Sequence, residues 1–390
     1  MQIDAALNGA ARWMASRELL TSEFAPPGLL MSRFGESVGL ERPATNAILN
    51  PSIETSTSGW APTAGATPSR VTTDAVVGGA ALQVVASAMT LQGEVHPFAA
   101  VVGQSYTVSA WVKAPAGRSL TLRLQEHDGA KSDVATATEV QDGDWRRMAV
   151  AGVATQTTMR LRVDTGADDS GFTFLVDGAQ SEAGTYVTSY VDGDQGEGYA
   201  WTDTAHASTS TREAGRLRVE GALLDPYEGG VAAYLRPHWG VSDAGEHVVF
   251  HRQAAGDAML LAFDDGIWRL TSTRGAQEAS VSVDAAHAPG ADILVVAGWT
   301  PRTLVLEVGG MRAVAPRAGG PPSLVAARWL ELGRRSDAEA GWFDGALGPV
   351  LFLDGVPSTG EVEVLARLPQ PPRPGQRFGR GVGATLSEMR

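Results

Sequence analysis

Short runs in which apolar and polar residues alternate constrain the fold of this chain more than any other feature. In "SLTLRLQ" the side chains of Leu120, Leu122 and Leu124 fall on one face, and "TMRLRVD" and "GFTFLVDG" repeat the pattern. Alternation with a period of two is typical of strands with one buried face. Turn sequences such as Asp-Gly separate the runs at close spacing, which favours antiparallel pairing. The middle of the chain is therefore predicted to be an antiparallel β-sandwich.

The second half of the chain shows the same pattern in different sequences. "AMLLAFDDGIWRLTS" and "TPRTLVLEVGGMRAV" are typical of hairpins, and "EVEVLARL" (361–368) predicts one short helix. Near the N-terminus, residues 4–20 predict an amphipathic helix that ends before Pro26 and Pro27. The fold class is thus expected to be mainly β, with two antiparallel sandwiches, a short N-terminal docking segment and an extended C-terminal tail. The expected divisions are a docking segment (1–45), a first sandwich (46–194), a linker (195–214), a second sandwich (215–368) and a basic tail rich in Pro and Gly (369–390).

Composition excludes several classes of function. The chain has no cysteine, which excludes disulfides, thiol catalysis and metal sites with cysteine ligands. Its net charge of −13 argues against general nucleic-acid binding. No apolar run is long enough to predict a membrane span. Asp4, Arg12 and Arg17 interrupt the N-terminal stretch, so it is not expected to be a secretory signal.

A series of motifs in the first predicted sandwich carries a resemblance. "NAILNPSIETSTSGW" (46–60), "GQSYTVSAWVKAPAG", "DGDWRRMAV" and "FLVDGAQSEAGTYVTSYVDGD" follow one another in order. This order resembles the jelly-roll sandwiches of carbohydrate-binding modules, although Ile53 stands where those modules have Phe. The resemblance covers about 46–194. It implies two antiparallel sheets with a concave face that often binds glycan.

The second predicted sandwich carries another resemblance. "ILVVAGWTPRTLVLEVGGMRA" and "WFDGALGPVLFLDGVPSTGEVEVLAR" lie within residues 215–365. They resemble the central hairpin and the closing strands and helix of laminin-G-like, concanavalin A-like sandwiches. The resemblance implies the fold of this region and says little about a ligand.

The stretch "YVTSYVDGDQGEGYAWTDTAHASTSTRE" (186–213) joins the two regions. Its order of Tyr-x-Asp-Gly-Asp, then Tyr199-x-Trp201, then "HASTST" is similar to a recurrent segment in minor tail proteins of bacteriophages that infect high-GC bacteria. Lys113 and Lys131 are the only lysines among 31 basic residues, which is consistent with such a source. The resemblance implies a protein of the virion tail that is assembled in the host cytoplasm. It also implies other phage tail proteins as partners and a homo-oligomeric state.

Polar residues on two predicted strands suggest where a glycan would bind. In "YTVSAWVK" Trp111 falls on the polar face, and in "LTLRLQEH" Arg123 and Gln125 do so. If these strands pair, Trp111, Arg123 and Gln125 line one carbohydrate-binding face. The alternative is that a loop or another subunit covers Trp111.

Acidic residues suggest a metal. Jelly-roll modules of this type often hold a structural calcium where the first and last strands meet, and the resemblance places Glu54 and Asp177 there. Calcium takes six to eight oxygen ligands, more than these two side chains supply. The acids of "DGDQGE" (192–197) also suggest a calcium loop, but Glu197 stands where such a loop needs Gly. They are interpreted instead as turn-forming, solvated acids.

No motif in the chain predicts catalysis. Glu361 and Glu363 alternate but fall in the predicted helix, whereas a glycosidase places two carboxyl groups on either side of the scissile bond. Together with the resemblances described above, this predicts a non-enzymatic tail-tip protein that contacts host cell-surface glycans. Two alternatives remain, namely a purely structural tail component that binds no sugar and a secreted glycan-active enzyme.

Overall fold

A computed structural model describes residues 6–8, 12–14, 37–63, 66–86, 93–165, 171–196, 198–243, 245–338 and 340–367. Antiparallel strands make up almost all of this part of the chain, which confirms the predicted fold class. The expected C-terminal tail lies outside it. Two compact units are present, one formed by Pro43–Glu213 and the other by the chain from Ala214 onward together with strands from the N-terminal region. Within the described ranges, no helix has both the length and the apolar character of a membrane span.

Three short strands come first in the chain and belong to the second unit. They are β1 (Ala6–Asn8), β2 (Arg12–Met14) and β3 (Ser37–Leu40). The helix predicted over 4–20 is wrong at 6–8 and 12–14, because both segments complete the edges of sheets and take their backbone partners from other strands. Leu40 at the end of β3 is fully buried and packs against Gly333. The described strands from residues 6–40 are thus parts of the second unit's sheets.

The first unit is a sandwich of two five-stranded sheets. Its strands are β4 (Ala44–Asn46), β5 (Ala61–Thr63), β6 (Thr67–Val71), β7 (Ala81–Val85), β8 (Gly93–Ala99), β9 (Ser105–Lys113), β10 (Ser119–Glu126), β11 (Asp133–Val140), β12 (Arg146–Val153), β13 (Thr158–Thr165), β14 (Thr173–Ala183), β15 (Tyr199–Trp201) and β16 (Ser210–Arg212). One sheet, here called the β10 sheet, has the order β11-β10-β13-β8-β5. The other, here called the β9 sheet, has the order β12-β9-β14-β7-β6, and β15-β16-β4 form a small third sheet.

The core of this unit lies between the two large sheets and follows the predicted alternation. Leu120, Leu122 and Leu124 on β10 are fully buried, as are Val108 and Val112 on β9. Because side chains alternate between the two faces of a strand, the intervening residues of β9 and β10 point away from this core. The sandwich therefore has two outward faces of different chemistry, one on each sheet.

One buried side chain joins the start of the first unit to its end. Asn46, at the end of β4, donates from Nδ2 to the carbonyl oxygens of Ala179 (2.9 Å) and Val191 (3.0 Å). Its Oδ1 accepts from the backbone N–H groups of Ile48 (3.1 Å) and Ser181 (3.0 Å). Four hydrogen bonds satisfy this amide, whose side chain is fully buried. Asn46 thereby fixes β14 and the segment after it against β4.

The segment after β14 is folded onto the first unit, although residues 195–214 were expected to be a linker. β15 and β16 pair with each other, and β16 pairs with β4. Asp192 is 2% exposed and accepts hydrogen bonds from the hydroxyls of Tyr190 (3.0 Å) and Ser52 (2.8 Å). The interpretation of the acids as solvated is therefore wrong for Asp192. Trp201 packs on the turn and donates from Nε1 to Asp194 at 3.0 Å.

The second unit is a sandwich of two seven-stranded antiparallel sheets. Its further strands and helix are β17 (Arg216–Glu220), β18 (Gly229–Pro237), β19 (His247–Ala254), β20 (Asp257–Asp264), β21 (Ile267–Arg274), β22 (Gln277–Val283), β23 (Ile293–Trp299), β24 (Thr303–Val308), β25 (Met311–Pro316), β26 (Trp329–Leu332), β27 (Gly345–Leu353) and α1 (Thr359–Arg367), with a 3₁₀ turn at Gly221–Leu223. The sheet orders are β1-β17-β26-β19-β20-β21-β22 and β2-β3-β27-β18-β23-β24-β25. The predicted short helix is confirmed as α1. Ser358 and Glu361 cap its start reciprocally.

The Asn46 contacts generate a prediction about stability. Asn46→Ala should lower the free energy of unfolding of the first unit by roughly 3 kcal/mol, because several buried backbone groups lose their partner. Urea unfolding of the full chain, followed by tryptophan fluorescence, measures the loss. Asn50→Gly is the control, since the buried side chain of Asn50 donates only to Ser56 and Ser58 in its own loop, and glycine adopts its φ of +52° without strain. Equal losses for the two variants would contradict the role given to Asn46.

Candidate functional site

The structure separates the three residues that were expected to form one glycan-binding face. β9 pairs with β12 and β14, whereas β10 pairs with β11 and β13. Trp111 therefore lies on the outward face of the β9 sheet, and Arg123 and Gln125 lie on the outward face of the β10 sheet. The prediction that these residues share one face is wrong, because the strands that carry them belong to opposite layers of the sandwich.

Trp111 is enclosed by the chain itself. Its side chain is 2% exposed, with Tyr190 edge-on at 5.5 Å and the guanidinium of Arg147 at 4.5 Å from the ring centroid. Arg147 is held there by the carbonyl of Thr188, to which it donates at 2.7 Å. Gly178 has a φ of +51°, and a Cβ on it would lie 2.6 Å from the indole. The alternative in which a loop covers Trp111 is confirmed, and Trp111 offers no surface to a sugar.

Arg123 and Gln125 belong to a continuous hydrogen-bonded chain on the β10 sheet. Arg123 donates from Nε to Asp164 Oδ2 (2.9 Å) and from Nη1 to Asp133 Oδ2 (2.6 Å). Gln125 donates from Nε2 to Asp133 and accepts from Arg160 Nε at 3.0 Å. The chain thus runs Asp164–Arg123–Asp133–Gln125–Arg160. We call this set of five residues, together with Arg162, the outer network.

The register of three neighbouring strands builds the outer network. On β10, Arg123 lies opposite Arg162 of β13, and Gln125 lies opposite Arg160. A register shift between Leu124 and Gln125 brings Asp133 of β11 opposite Gln125. The sequence predicted the outward direction of Arg123 and Gln125 correctly. It missed Arg160 and Arg162, although the alternation in "TMRLRVD" marks both as outward.

Opposite charges alternate within the outer network. Asp164 is fully buried between Arg123 and Arg162. The Oδ2 atom of Asp164 lies 2.9 Å from Arg123 Nε and 2.5 Å from Arg162 Nε. Burial raises the pKa of Asp164, against the lowering effect of Arg162 and Arg123. Burial alone would lower the pKa of Arg123, but its hydrogen bonds and charge interactions with Asp164 and Asp133 outweigh burial and raise it. The groups therefore hold one another in fixed orientations.

The outer network meets solvent along β11. Asp133, Thr136 and Thr138 are exposed, and Thr138 shares a hydroxyl hydrogen bond of 2.9 Å with Thr121. The outward residues described on β10, β11, β13 and β8 include no aromatic side chain, so this face is not a stacking platform of the kind expected for Trp111. Its exposed groups are the carboxylate of Asp133 and the hydroxyls of Thr136 and Thr138, which suit hydrogen bonding to a polyhydroxylated ligand.

The two residues expected to bind calcium, Glu54 and Asp177, accept hydrogen bonds from backbone N–H groups instead. Asp177 is fully buried, and its Oδ2 accepts from the backbone N–H groups of Val76 and Val77, both at 2.8 Å. Its Oδ1 accepts from Gly178 N–H at 2.7 Å. Burial raises the pKa of Asp177 well above the usual range, an effect that these N–H groups oppose. The carboxylate thus acts as a cap on the 76–77 loop.

The side chain of Glu54 also accepts a hydrogen bond from the backbone. Its Oε1 accepts from the backbone N–H of Gly79 at 2.6 Å. Across the described ranges, no group of three or more acidic or histidine side chains is placed to hold a metal ion. Two carboxylates that already bind N–H donors fall short of the oxygen shell that calcium needs. Glu54 and Asp177, as placed, do not fit the expected calcium site.

Comparisons with known proteins identify the region that carries the outer network. Residues 45–170 match the family described as "Carbohydrate binding domain". A search of curated proteins found no match. This match covers most of the first sandwich and less than half of the chain.

Several solved structures resemble the chain. One is the CBM22-1 xylan-binding domain of Xyn10C from Paenibacillus barcinonensis, with 19% identity, a TM-score of 0.30, and 36% of this chain and 94% of that chain covered. Another is the C-terminal family 22 carbohydrate-binding module of Clostridium thermocellum Xyn10B, with 20% identity, a TM-score of 0.31, and 37% and 94% covered. A third is the arabinose-bound arabinofuranosidase MgGH51, with 14% identity, a TM-score of 0.31, and 36% and 26% covered.

The enclosure of Trp111 gives a testable distinction between a packing and a binding role. Trp111→Ala should cost about 3–5 kcal/mol of unfolding free energy, because it leaves a cavity under Tyr190 and Arg147. Trp111→Phe, which keeps an aromatic ring, should cost less. Thermal unfolding of the full chain measures both losses. A Trp111→Ala protein of unchanged stability that no longer binds glycan would contradict the packing role.

Proposed function

We propose that this chain is a non-enzymatic minor tail protein at the tail tip of a bacteriophage, and that its first sandwich contacts host cell-surface glycans through the outer network. The observation that carries the binding role is the carbohydrate-binding domain at 45–170, whose β10 sheet presents this set of oriented polar groups. The resemblance of residues 186–213 to phage minor tail proteins supports the tail assignment.

The contacts made by the carboxylates of Asp133 and Asp164 support a role in binding rather than in catalysis. Glycoside hydrolysis needs one carboxyl group to donate a proton and a second to act as base or nucleophile. Asp164 is fully buried and paired with Arg123 and Arg162, and Asp133 is hydrogen-bonded to both Arg123 and Gln125. These contacts commit the acids to holding donors in place. The outer network therefore suits the recognition of hydroxyl groups.

The tail assignment carries further expectations. The protein is expected in the tail of the virion after assembly in the host cytoplasm, next to other tail proteins and as a homo-oligomer. Nucleic acid is not expected among its partners, because the chain has a net charge of −13. Antibodies against the chain should label the tail tip of intact particles, and labelling of the capsid alone would contradict the assignment.

A purely structural tail component is the alternative. The enclosure of Trp111 and the lack of an aromatic residue among the described outward residues of β8, β10, β11 and β13 favour this reading. In that case the hydrogen bonds of the outer network would stabilise the β10 sheet and bind no ligand. The two functions differ in whether the intact protein binds any fraction of the host envelope.

A pull-down with matched glutamine variants tests the proposed function. The intact chain should bind host cell-wall polysaccharide, and Gln125→Ala should weaken binding by about tenfold, because Arg160 loses the acceptor that orients it. Gln83→Ala is the control, since Gln83 lies on β7 of the β9 sheet and accepts a hydrogen bond from Ser69. Equal binding by both variants would remove the outer network as the site. No binding by the intact chain to any envelope fraction would favour the structural alternative.

A further inference from the structure

Arg160 differs from the other two arginines of the outer network. Arg123 pairs with Asp164 and Asp133, and Arg162 pairs with Asp164. Arg160 donates from Nε to Gln125 Oε1, a neutral acceptor, at 3.0 Å. Within the described part of the chain, no carboxylate lies at ion-pair distance from Arg160. The hydrogen-bonded chain thus ends on a cation that has no ion-pair partner among the described residues.

We propose that the outer network recognises an acidic saccharide, and that Arg160 pairs with the carboxylate or phosphate group of that ligand. This inference rests on the proposed glycan-binding function and names the class of glycan. It predicts that the protein prefers acidic polysaccharides to neutral ones of similar size.

The charge of the outer network supports this assignment. Three guanidinium groups face only two carboxylates, and both carboxylates are bound by Arg123, with Arg162 also on Asp164. The positive charge that these two carboxylates leave uncompensated is therefore that of Arg160. A ligand anion could balance this charge while Arg160 Nε keeps its hydrogen bond to Gln125.

The environment of Arg160 makes an anion favourable there. Its side chain is only 6% exposed, and burial and the neighbouring charge of Arg162 lower its pKa, with Asp133 acting in the opposite direction. Both lowering effects penalise an unpaired cation, and the charge of a ligand anion would offset that penalty. A neutral hydroxyl would accept a hydrogen bond but would leave the charge uncompensated.

The position of Arg160 is fixed before a ligand arrives. Gln125 is held by Asp133, and Asp133 is held by Arg123, so Arg160 Nε is oriented through two successive contacts. This bond uses Nε, and among the described residues no hydrogen bond of the Nη atoms is found. Guanidinium groups bind carboxylate and phosphate with paired hydrogen bonds, which a lysine cannot form. Pre-orientation lowers the entropic cost of forming such a pair.

Calorimetric titration of the full chain with three probes tests the preference. The probes are polygalacturonate for a carboxylate, wall teichoic acid for a phosphate, and a neutral galactan. Binding of at least one acidic probe should be about tenfold tighter than binding of the galactan, since hydrogen bonds to charged groups are the stronger ones. The tighter of the two acidic probes identifies which anion is recognised.

Substitutions of Arg160 test whether this residue causes the preference for acidic over neutral polysaccharides. Arg160→Gln should reduce the acidic-over-neutral ratio to near one, and Arg160→Lys should keep part of it because the charge remains. Arg146→Gln is the control, since it removes one arginine from the same unit at an exposed pair with Asp142 outside the outer network. This control should keep the full preference. Unfolding temperatures of all variants separate loss of binding from loss of fold.

The outcomes distinguish the inference from the proposed function. If the intact chain binds galactan and the acidic probes equally, and Gln125→Ala still weakens that binding, the acidic preference is wrong and glycan binding stands. A folded Arg160→Gln protein that keeps the preference would remove Arg160 as the anion partner. Failure of the intact chain to bind any of the probes would count against both.

Discussion

The four hydrogen bonds of the Asn46 amide are the constraint on which the first unit depends. They join β4 to β14 and to the carbonyl of Val191 in the segment that follows β14. With Val191 fixed, Tyr190 packs against the indole of Trp111 and Asp192 accepts the hydroxyl of Ser52. A single buried side chain near the start of the unit therefore fixes the segment at its end, and that segment in turn covers Trp111 on the outward face of the β9 sheet.

This closure divides the roles of the two sheets. On the β9 sheet the outward Trp111 is buried beneath Tyr190 and Arg147, so Trp111 and Arg147 serve packing. The β10 sheet organises its outward residues among themselves, in a chain that runs from Asp164 to Arg160 and meets solvent along β11. In our account the β10 sheet is the surface for ligand, and Arg160 is its one arginine without a charge partner among the described residues.

The alternation of residues predicted much of this fold, because a period of two determines which side chains share a face. It placed Leu122 in the core and Gln125 outside it, as observed. Alternation does not determine which strands pair, so Trp111 and Gln125 were assigned to one face although β9 and β10 lie in different sheets. The burial of Asp192 could not be predicted from the sequence either, because its hydrogen-bond partner Ser52 lies 140 residues away. Contacts between residues far apart in the chain leave no local pattern.

Hydrogen exchange of the intact protein with saturating acidic polysaccharide tests the central claim most directly. We predict slower amide exchange in Ser119–Glu126, Asp133–Val140 and Thr158–Thr165, the three strands that carry the outer network. We predict no change in Thr173–Ala183, which lies under the segment that covers Trp111. Protection confined to Thr173–Ala183 or to the second unit, or no protection at all, would contradict ligand binding by the outer network.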